Sequence, residues 1–444
     1  MDQLLRKLGL LDATLIIIGI VIGSGIFLLP NVIARSLPSS GAILAVWIVA
    51  GILSSFGALA YAELGAMMPA TGGQYVYLRE AYGPCCAFLC GWVFVLAVLP
   101  GGIAFLAVGF SIYLDHFIPL APPARTAVSL ALVAVLSAFN YIGVVQGAWI
   151  QRIFTTAKIA GLILVIGAAA LYSHGPAEAA AAGPPLSYTG IGVAMTACLM
   201  AYNGWSYVSF VAGEVKNPQR NLPASLLLAM AAVIVLYLSA NLAYMNVMTV
   251  PEIAATERVG SAVAQRTMGS IGATVLSAVV LLSVIGAING NILTAARIPF
   301  AQARDGMFFS RFGQVHPRFK TPAFAIVAQA LWSGLLILTG SYETLFSYSI
   351  LSAWIFYALS VAAVWILRKK LPDLPRPYKM WGYPFTLIAF LIVSVWFMAD
   401  ALITQPKPSL MAIAIAAAGV PFYMIWRGNS PASQAEIAVA GKAR

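Results

Sequence analysis

Three consecutive residues, Gly23-Ser24-Gly25, interrupt an apolar stretch that runs from 13 to 29 and is followed by Pro30. Hydrocarbon tolerates irregular backbone least at mid-depth, where each unpaired N–H or C=O costs several kcal/mol. Such a break therefore belongs where the backbone is buried in protein or lines a cavity. A second interruption, Tyr202-Asn203-Gly204-Trp205, divides the apolar stretch 191–212. If the first stretch crosses from inside to outside, the half-helix starting near Gly25 turns free N–H groups and the positive end of its dipole to the centre. That arrangement suits a carboxylate. The half ending near Val21 turns unpaired carbonyls to the same place, carbonyls near Met200 and Asn203 do likewise, and these suit an ammonium group. Val21, Gly23, Ser24, Gly25, Met200, Asn203 and Gly204 thus describe a receptor for a zwitterion, which is what an amino-acid backbone offers. A kink or packing notch accounts for one break alone. Two breaks in corresponding halves are the sequence mark of a substrate site in a carrier.

The elements that must position these groups are membrane spans. Of 444 residues, 61% are hydrophobic and 9% charged, with a mean hydropathy of +0.90, against about 25% charged in an ordinary soluble domain. Apolar runs long enough to cross a bilayer, ~18 residues or more, lie at 12–34, 41–68, 85–114, 125–142, 148–172, 189–212, 223–248, 271–299, 322–340, 343–367, 384–404 and 408–427. Twelve spans place both termini on one side. The first is too long for a cleaved signal peptide. Residues 1–172 hold five spans and 189–367 hold five more, each set opening on a broken span. Because five is odd, the second set enters the membrane inverted, which makes an inverted repeat with a site near the bilayer midplane. Residues 384–427 add the last two spans, and 428–444 read as a short disordered cytoplasmic tail.

The net charge of +11 follows topology and not nucleic-acid binding. With the N-terminus inside, nineteen of the 25 Lys and Arg residues fall on the inner side and five, Arg35, Arg125, Arg258, Arg266 and Lys407, on the outer side. This bias puts both termini in the cytoplasm. Lys158 is the one basic residue deep in a span, about 9 Å along its helix from Arg152. An intramembrane charge is a functional candidate, with snorkelling to the cytoplasmic face as the plain alternative. Glu63, Arg79, Glu80, Glu214, Arg297 and Asp305 stand at inner helix ends, where ion pairs could close a cytoplasmic gate; singly, each also reads as an ordinary solvated charge.

Nothing points to catalysis, a cofactor or a metal. His116, His174 and His316 fall in loops, and neither H-E-x-x-H nor G-x-x-x-x-G-K-[ST] occurs. Cys85, Cys86, Cys90 and Cys198 lie in or at the edge of apolar segments and read as reduced packing residues. A channel is the remaining rival, and paired broken helices favour a carrier.

The strings G-S-G-I-F (23–27), A-L-A-Y-A-E-L-G (58–65), T-G-G-Q-Y-V-Y-L-R-E-A-Y-G (71–83), A-Y-N-G-W (201–205), E-V-K-N-P-Q-R-N-L-P (214–223) and A-A-R-I-P-F-A-Q-A-R-D-G (295–306) resemble the amino acid–polyamine–organocation superfamily, in its L-type amino acid transporter branch. The resemblance runs through nearly the whole chain. It implies an all-α integral membrane protein of the LeuT type, with twelve transmembrane helices, a 5+5 inverted repeat and helices 1 and 6 discontinuous. It implies transport of L-amino acids, commonly by sodium-independent exchange. The alternatives are a proton-coupled importer and a cationic amino acid or polyamine antiporter. By the same resemblance Ser24 and Gly25 hold the substrate carboxylate, and Val21, Met200 and Asn203 its amino group. Met200 stands where the family often has a Phe gate. The neutral Asn203 stands where cation-selective members can carry an acid, which favours neutral substrates. Trp354 matches a position near the substrate side chain; it and Trp205 could equally be packing aromatics. Lys158 would occupy the place of a sodium ion, or by exchanging its own proton couple transport to a proton gradient. Eukaryotic relatives attach a heavy subunit through a Cys in the loop after the third span. The loop 115–125 has none, so the expectation is a bacterial inner-membrane protein working without a disulfide-linked partner.

Overall fold

The structure, a computed structural model, describes residues 4–37, 39–115, 117–172, 187–340 and 342–427. The expected tail at 428–444 and the loop residues His116 and His174 lie outside these. Among the described residues there is no strand, only one isolated parallel bridge between Leu8 and Val215. The rest is helical. The first interrupted span is α1 (Leu10–Val21) and α2 (Gly25–Ser36), and α3 (Ser40–Met67) returns through the bundle. A short α4 (Gln74–Tyr82) leads to α5 (Pro84–Val93) and α6 (Leu99–Leu114), which a π-helical turn over Phe94–Val98 joins into one span. Next come α7 (Pro122–Ile142) and α8 (Val144–Ala170).

The second interrupted span is α9 (Tyr188–Ala201) followed by a 3₁₀ segment, Trp205–Glu214. Then follow α10 (Pro218–Val247), α11 (Val250–Ala255), α12 (Val259–Ala295), α13 (Arg297–Arg304), α14 (Ala323–Thr339), α15 (Tyr342–Lys370), α16 (Phe385–Thr404) and α17 (Pro406–Arg427). Nine helices are long and apolar enough to cross a membrane, or ten if α1 and α2, which meet at 44°, form one bent span; this holds among the described residues. Two of the twelve expected spans fall short of that measure. The ninth is α14, of 17 residues, and the sixth yields only the 14 residues of α9 before its break. In the eighth, Gly269, at φ 67° and ψ −153°, is non-helical and separates a helical stretch that begins at Val259 from the expected span at 271–299.

Helix ends follow local chemistry. Pro at the first helical position opens α7 and α10, where its missing N–H removes nothing from the helix. Thr249 and Glu252 form a capping box at α11. Glu252 also receives Arg266 Nη2 at 2.8 Å, and that bond, with the Thr249 N–H, lowers its carboxyl to about 2. Large apolar side chains such as Leu331, Val235 and Ile392 face outward, as they do where lipid is the solvent.

The core is built around the interrupted spans. Between α3 and α4 the T-G-G turn presses its backbone on the 3₁₀ segment: Gly72 N–H donates to Phe210 O at 2.9 Å. Gly73 sits at φ 43°, ψ −106°, and a Cβ there would lie 2.4 Å from the Ser209 carbonyl carbon. Only glycine fits both demands. Gly73→Ala is therefore expected to destabilise by roughly 1–3 kcal/mol, read as a drop of the unfolding temperature in detergent. An unchanged midpoint would show that this contact is dispensable.

Candidate functional site

The two breaks face each other. α1 ends at Val21, residues Ile22 to Ser24 are non-helical, and α2 resumes at Gly25. α9 ends at Ala201, and Gly204, in the left-handed region at φ 111°, turns the chain into the 3₁₀ segment. A Cβ on Gly25 would lie 3.5 Å from Ala201 Cα, and one on Gly204 2.5 Å from Ile20 Cγ2. The backbones thus cross at close quarters. Between them lies a cavity of about 290 Å³ lined by Val21, Gly23, Ser24, Gly25, Met200, Asn203, Gly204, Asn291, Ala353 and Trp354, among others. This is the low end of the ~300–1,000 Å³ usual for small-ligand sites. Every residue in its lining is uncharged. A larger groove, about 690 Å³, runs between α7 and α14. It is almost wholly apolar, remote from both breaks, and lacks the convergent polar groups that orient a substrate.

The first N–H groups of α2 have no acceptor inside their own helix, and Ser24 and Gly25 stay partly exposed to the cavity. Open N–H groups of this kind are chemically suited to an anion. The carbonyl edge is more engaged than the sequence suggests. Val21 O accepts from Gly23 N–H at 2.9 Å and from Tyr237 Oη at 2.9 Å, which uses both of its lone pairs. The Tyr237 hydroxyl also lies 3.1 Å from Ala201 O. One phenolic proton is therefore shared by the carbonyl ends of the two half-helices, and shifting it to Ala201 would free a lone pair on Val21. Met200 O accepts from Asn203 N–H at 3.2 Å and from the Tyr202 N–H that ends α9. Nothing in the sequence marks Tyr237: it lies in an unbroken apolar helix and meets the breaks only by tertiary packing.

Lys158 is 1% exposed and does not snorkel. Its Nζ donates to Gly19 O at 2.8 Å, Ile22 O at 2.7 Å and Ser283 O at 2.9 Å. Three donors meet three carbonyls, so α8 clamps the end of α1 to α12. Ser283 Oγ adds a bond to Ile22 O at 2.7 Å. Gln151 and Thr155, on the same face of α8, continue this polar seam to Leu15 O, and Asn289 of α12 donates to Gln151 Oε1 at 2.8 Å.

Of the remaining candidates, Trp354 borders the cavity and stacks on Phe397 at 4.5 Å. Trp205 is off the lining, packed edge-on against Tyr61 at 5.1 Å and beside Tyr357. Asn203 Oδ1 accepts from Tyr357 Oη at 3.1 Å. Of the charged residues expected at a gate, Glu63, Glu214 and Arg297 are buried, whereas Arg79, Glu80 and Asp305 are partly exposed. Glu214 receives Arg297 through two bonds, 2.7 and 2.9 Å, with both side chains almost wholly buried. Glu63 receives Arg368 through two more, 2.9 and 2.6 Å, and also the Met380 N–H at 2.7 Å. Arg79 pairs with Asp305 and Glu80. Arg368 was not among the sequence candidates, because only folding carries it to Glu63. The Lys7 and Leu8 N–H groups donate to Glu214 O at 2.9 and 3.0 Å, which ties this layer to the N-terminal face.

The sequence profile of the family described as Amino acid permease matches residues 8–419. The chain is 32% identical over 427 residues to the serine/threonine exchanger SteT of Bacillus subtilis, covering 95% of this chain and 97% of that protein. It is 32% identical over 436 residues to the human cystine/glutamate transporter, covering 96% and 86%. It is 32% identical over 432 residues to the mouse large neutral amino acids transporter small subunit 2, covering 95% and 81%.

Lys158→Ala would leave Gly19 O and Ile22 O at the first break, and Ser283 O of α12, without their cationic donor, where each such bond is worth roughly 1.5–3 kcal/mol. The variant is expected to lose about 90% or more of its transport in proteoliposomes, at an energetic cost that corresponds to at least a tenfold effect, with a lowered unfolding temperature. Wild-type activity in that variant would dismiss the clamp.

Proposed function

This chain belongs to the amino acid permease family, and from that premise we propose that it exchanges neutral L-amino acids across the membrane, without sodium, by alternating access. It is a multi-pass membrane transporter and not an enzyme. The names of the three relatives differ in substrate side chain but share the α-amino acid. That common element is what a backbone receptor made of two helix breaks recognises. The single observation carrying the neutral reading is the cavity between the breaks, whose lining has no charged side chain. An uncompensated charged side chain there would lose its hydration with no partner.

In this reading the N–H groups at Ser24 and Gly25 hold the carboxylate. The carbonyls at Met200 and Asn203, with Val21 once Tyr237 shifts, hold the ammonium. Met200, Gly204 and Trp354 close over the side chain. Lys158 stands where a coupling cation would otherwise tie α1 to α12, and so removes the need for sodium. The buried pairs, Glu214 with Arg297 and Glu63 with Arg368, and the pair of Arg79 with Asp305, shut the face nearest the N-terminus. That face is the cytoplasmic one on the charge bias of the loops. The architecture is twelve spans of the LeuT type, 1–172 and 189–367 as inverted repeats with 384–427 appended, in a bacterial inner membrane. One relative is itself named a small subunit. This chain has no Cys in the loop 115–125 through which a heavy subunit could be disulfide-linked, and is proposed to act without one.

The test is counterflow of a labelled amino-acid panel into proteoliposomes, with sodium or choline outside and with or without a proton gradient. Alanine, serine and leucine should enter and trans-stimulate equally in sodium and choline. Failure of all three sinks the neutral reading. Uptake that requires a proton gradient and no counter-substrate would establish the importer instead.

A further inference from the structure

A second, smaller cavity lies on the side of Met200 facing away from the N-terminal segment. Its volume is about 60 Å³, and its walls include Thr196 and Met200 of α9, Phe397 and Asp400 of α16, and Ser409 of α17. Met200 borders both this cavity and the central one. Among the described residues the Asp400 carboxylate has no ion-pair or hydrogen-bond partner, and the cation next along the chain, Lys407, is exposed. The Thr196 hydroxyl oxygen is buried and also lacks a partner. Asp400 lies in an apolar helix, four residues before its end at Thr404, where a carboxylate without a counter-charge is a functional candidate, and a buried hydroxyl without a bond normally finds one. Here the two line the same small space.

Position decides what that space does. A Cβ on Gly192 would lie 3.6 Å from Asp400 Oδ1, and Gly192 precedes Met200 by eight residues, about 12 Å of helix. Met200 borders both spaces, so the pocket abuts the central site across that side chain and stands ahead of it on the approach from the face opposite the N-terminus. The pocket, about 60 Å³, is small beside the central cavity of about 290 Å³ and has room for an ammonium group. One carboxylate and a few hydroxyls fall short of the six to eight oxygens a calcium ion takes.

We propose that Asp400, with Thr196 and Met200, forms an outer station that holds the ammonium group of an incoming amino acid before it passes Met200 into the central cavity. The inference rests on the reading of the chain as an amino-acid carrier. It accounts for the unpaired carboxylate and the orphan hydroxyl together. It also makes Met200, flexible at three torsions, the partition between two successive binding places.

The test measures the half-saturation of labelled L-alanine exchange separately from each face of the reconstituted protein, for wild type, Asp400→Asn and Asp400→Glu. Loss of one charge-assisted bond predicts a rise of about tenfold on the outer face in Asp400→Asn. The inner face should rise about twofold at most, and Asp400→Glu should stay near wild type on both. In parallel, ethylammonium chloride, an amine without the carboxylate the central site needs, is titrated against the unfolding temperature of the detergent-solubilised full chain. Wild type and Asp400→Glu should be stabilised, Asp400→Asn not. Equal rises on the two faces, or the same ethylammonium effect in wild type and Asp400→Asn, overturns the station. If wild type exchanges no amino acid at all, the carrier reading fails, and the ethylammonium titration still decides the station.

Discussion

A helix broken inside a bilayer must find partners for backbone groups that water cannot reach, and the rest of this structure depends on how that demand is met. At the end of α1 the partners are side chains from three other helices: Lys158 of α8, Tyr237 of α10 and Ser283 of α12. Their bonds leave the N–H edge of α2 open while occupying most of the carbonyl edge. The asymmetry is chemical. A carboxylate finds its donors ready, whereas an ammonium must share acceptors already in use. A cation placed at the carbonyl edge would therefore depend on a shift of the single proton of Tyr237.

The layer toward the N-terminus is charged. Two guanidinium–carboxylate forks, Arg297 with Glu214 and Arg368 with Glu63, are bidentate. Breaking the buried pair of Arg297 and Glu214 would leave two charges without partners. Around the central cavity the opposite holds: its walls are neutral, and recognition there falls to backbone dipoles. Relatives with different substrate names can share such a receptor, since only the walls beyond the breaks need to change.

The sequence made legible what depends on local pattern. Apolar length located the spans, and Gly-Ser-Gly and Asn-Gly at mid-depth marked both breaks, which the structure brings to one cavity. The depth of Lys158 singled it out correctly as something other than an interfacial charge. What the sequence hid was long-range. Tyr237 and Arg368 look like any residue of an apolar helix and a basic helix end, and acquire partners only when α10 meets the breaks and α15 meets α3. Span counts were hard for a related reason. α9 gives up its second half to a 3₁₀ segment, and α14 is only 17 residues long.

The clamp on α1 also orders events in time. The chain is made from its N-terminus at about 5–20 residues per second, so the carbonyls of Gly19 and Ile22 precede their partner Lys158 by on the order of ten seconds or more. Tyr237 and Ser283 follow later still. During that interval the first helix carries a break that lipid alone cannot satisfy. It must wait beside water or protein, at the site of insertion, until α8 arrives. The bonds that satisfy the first break therefore make the first span settle later than spans made after it.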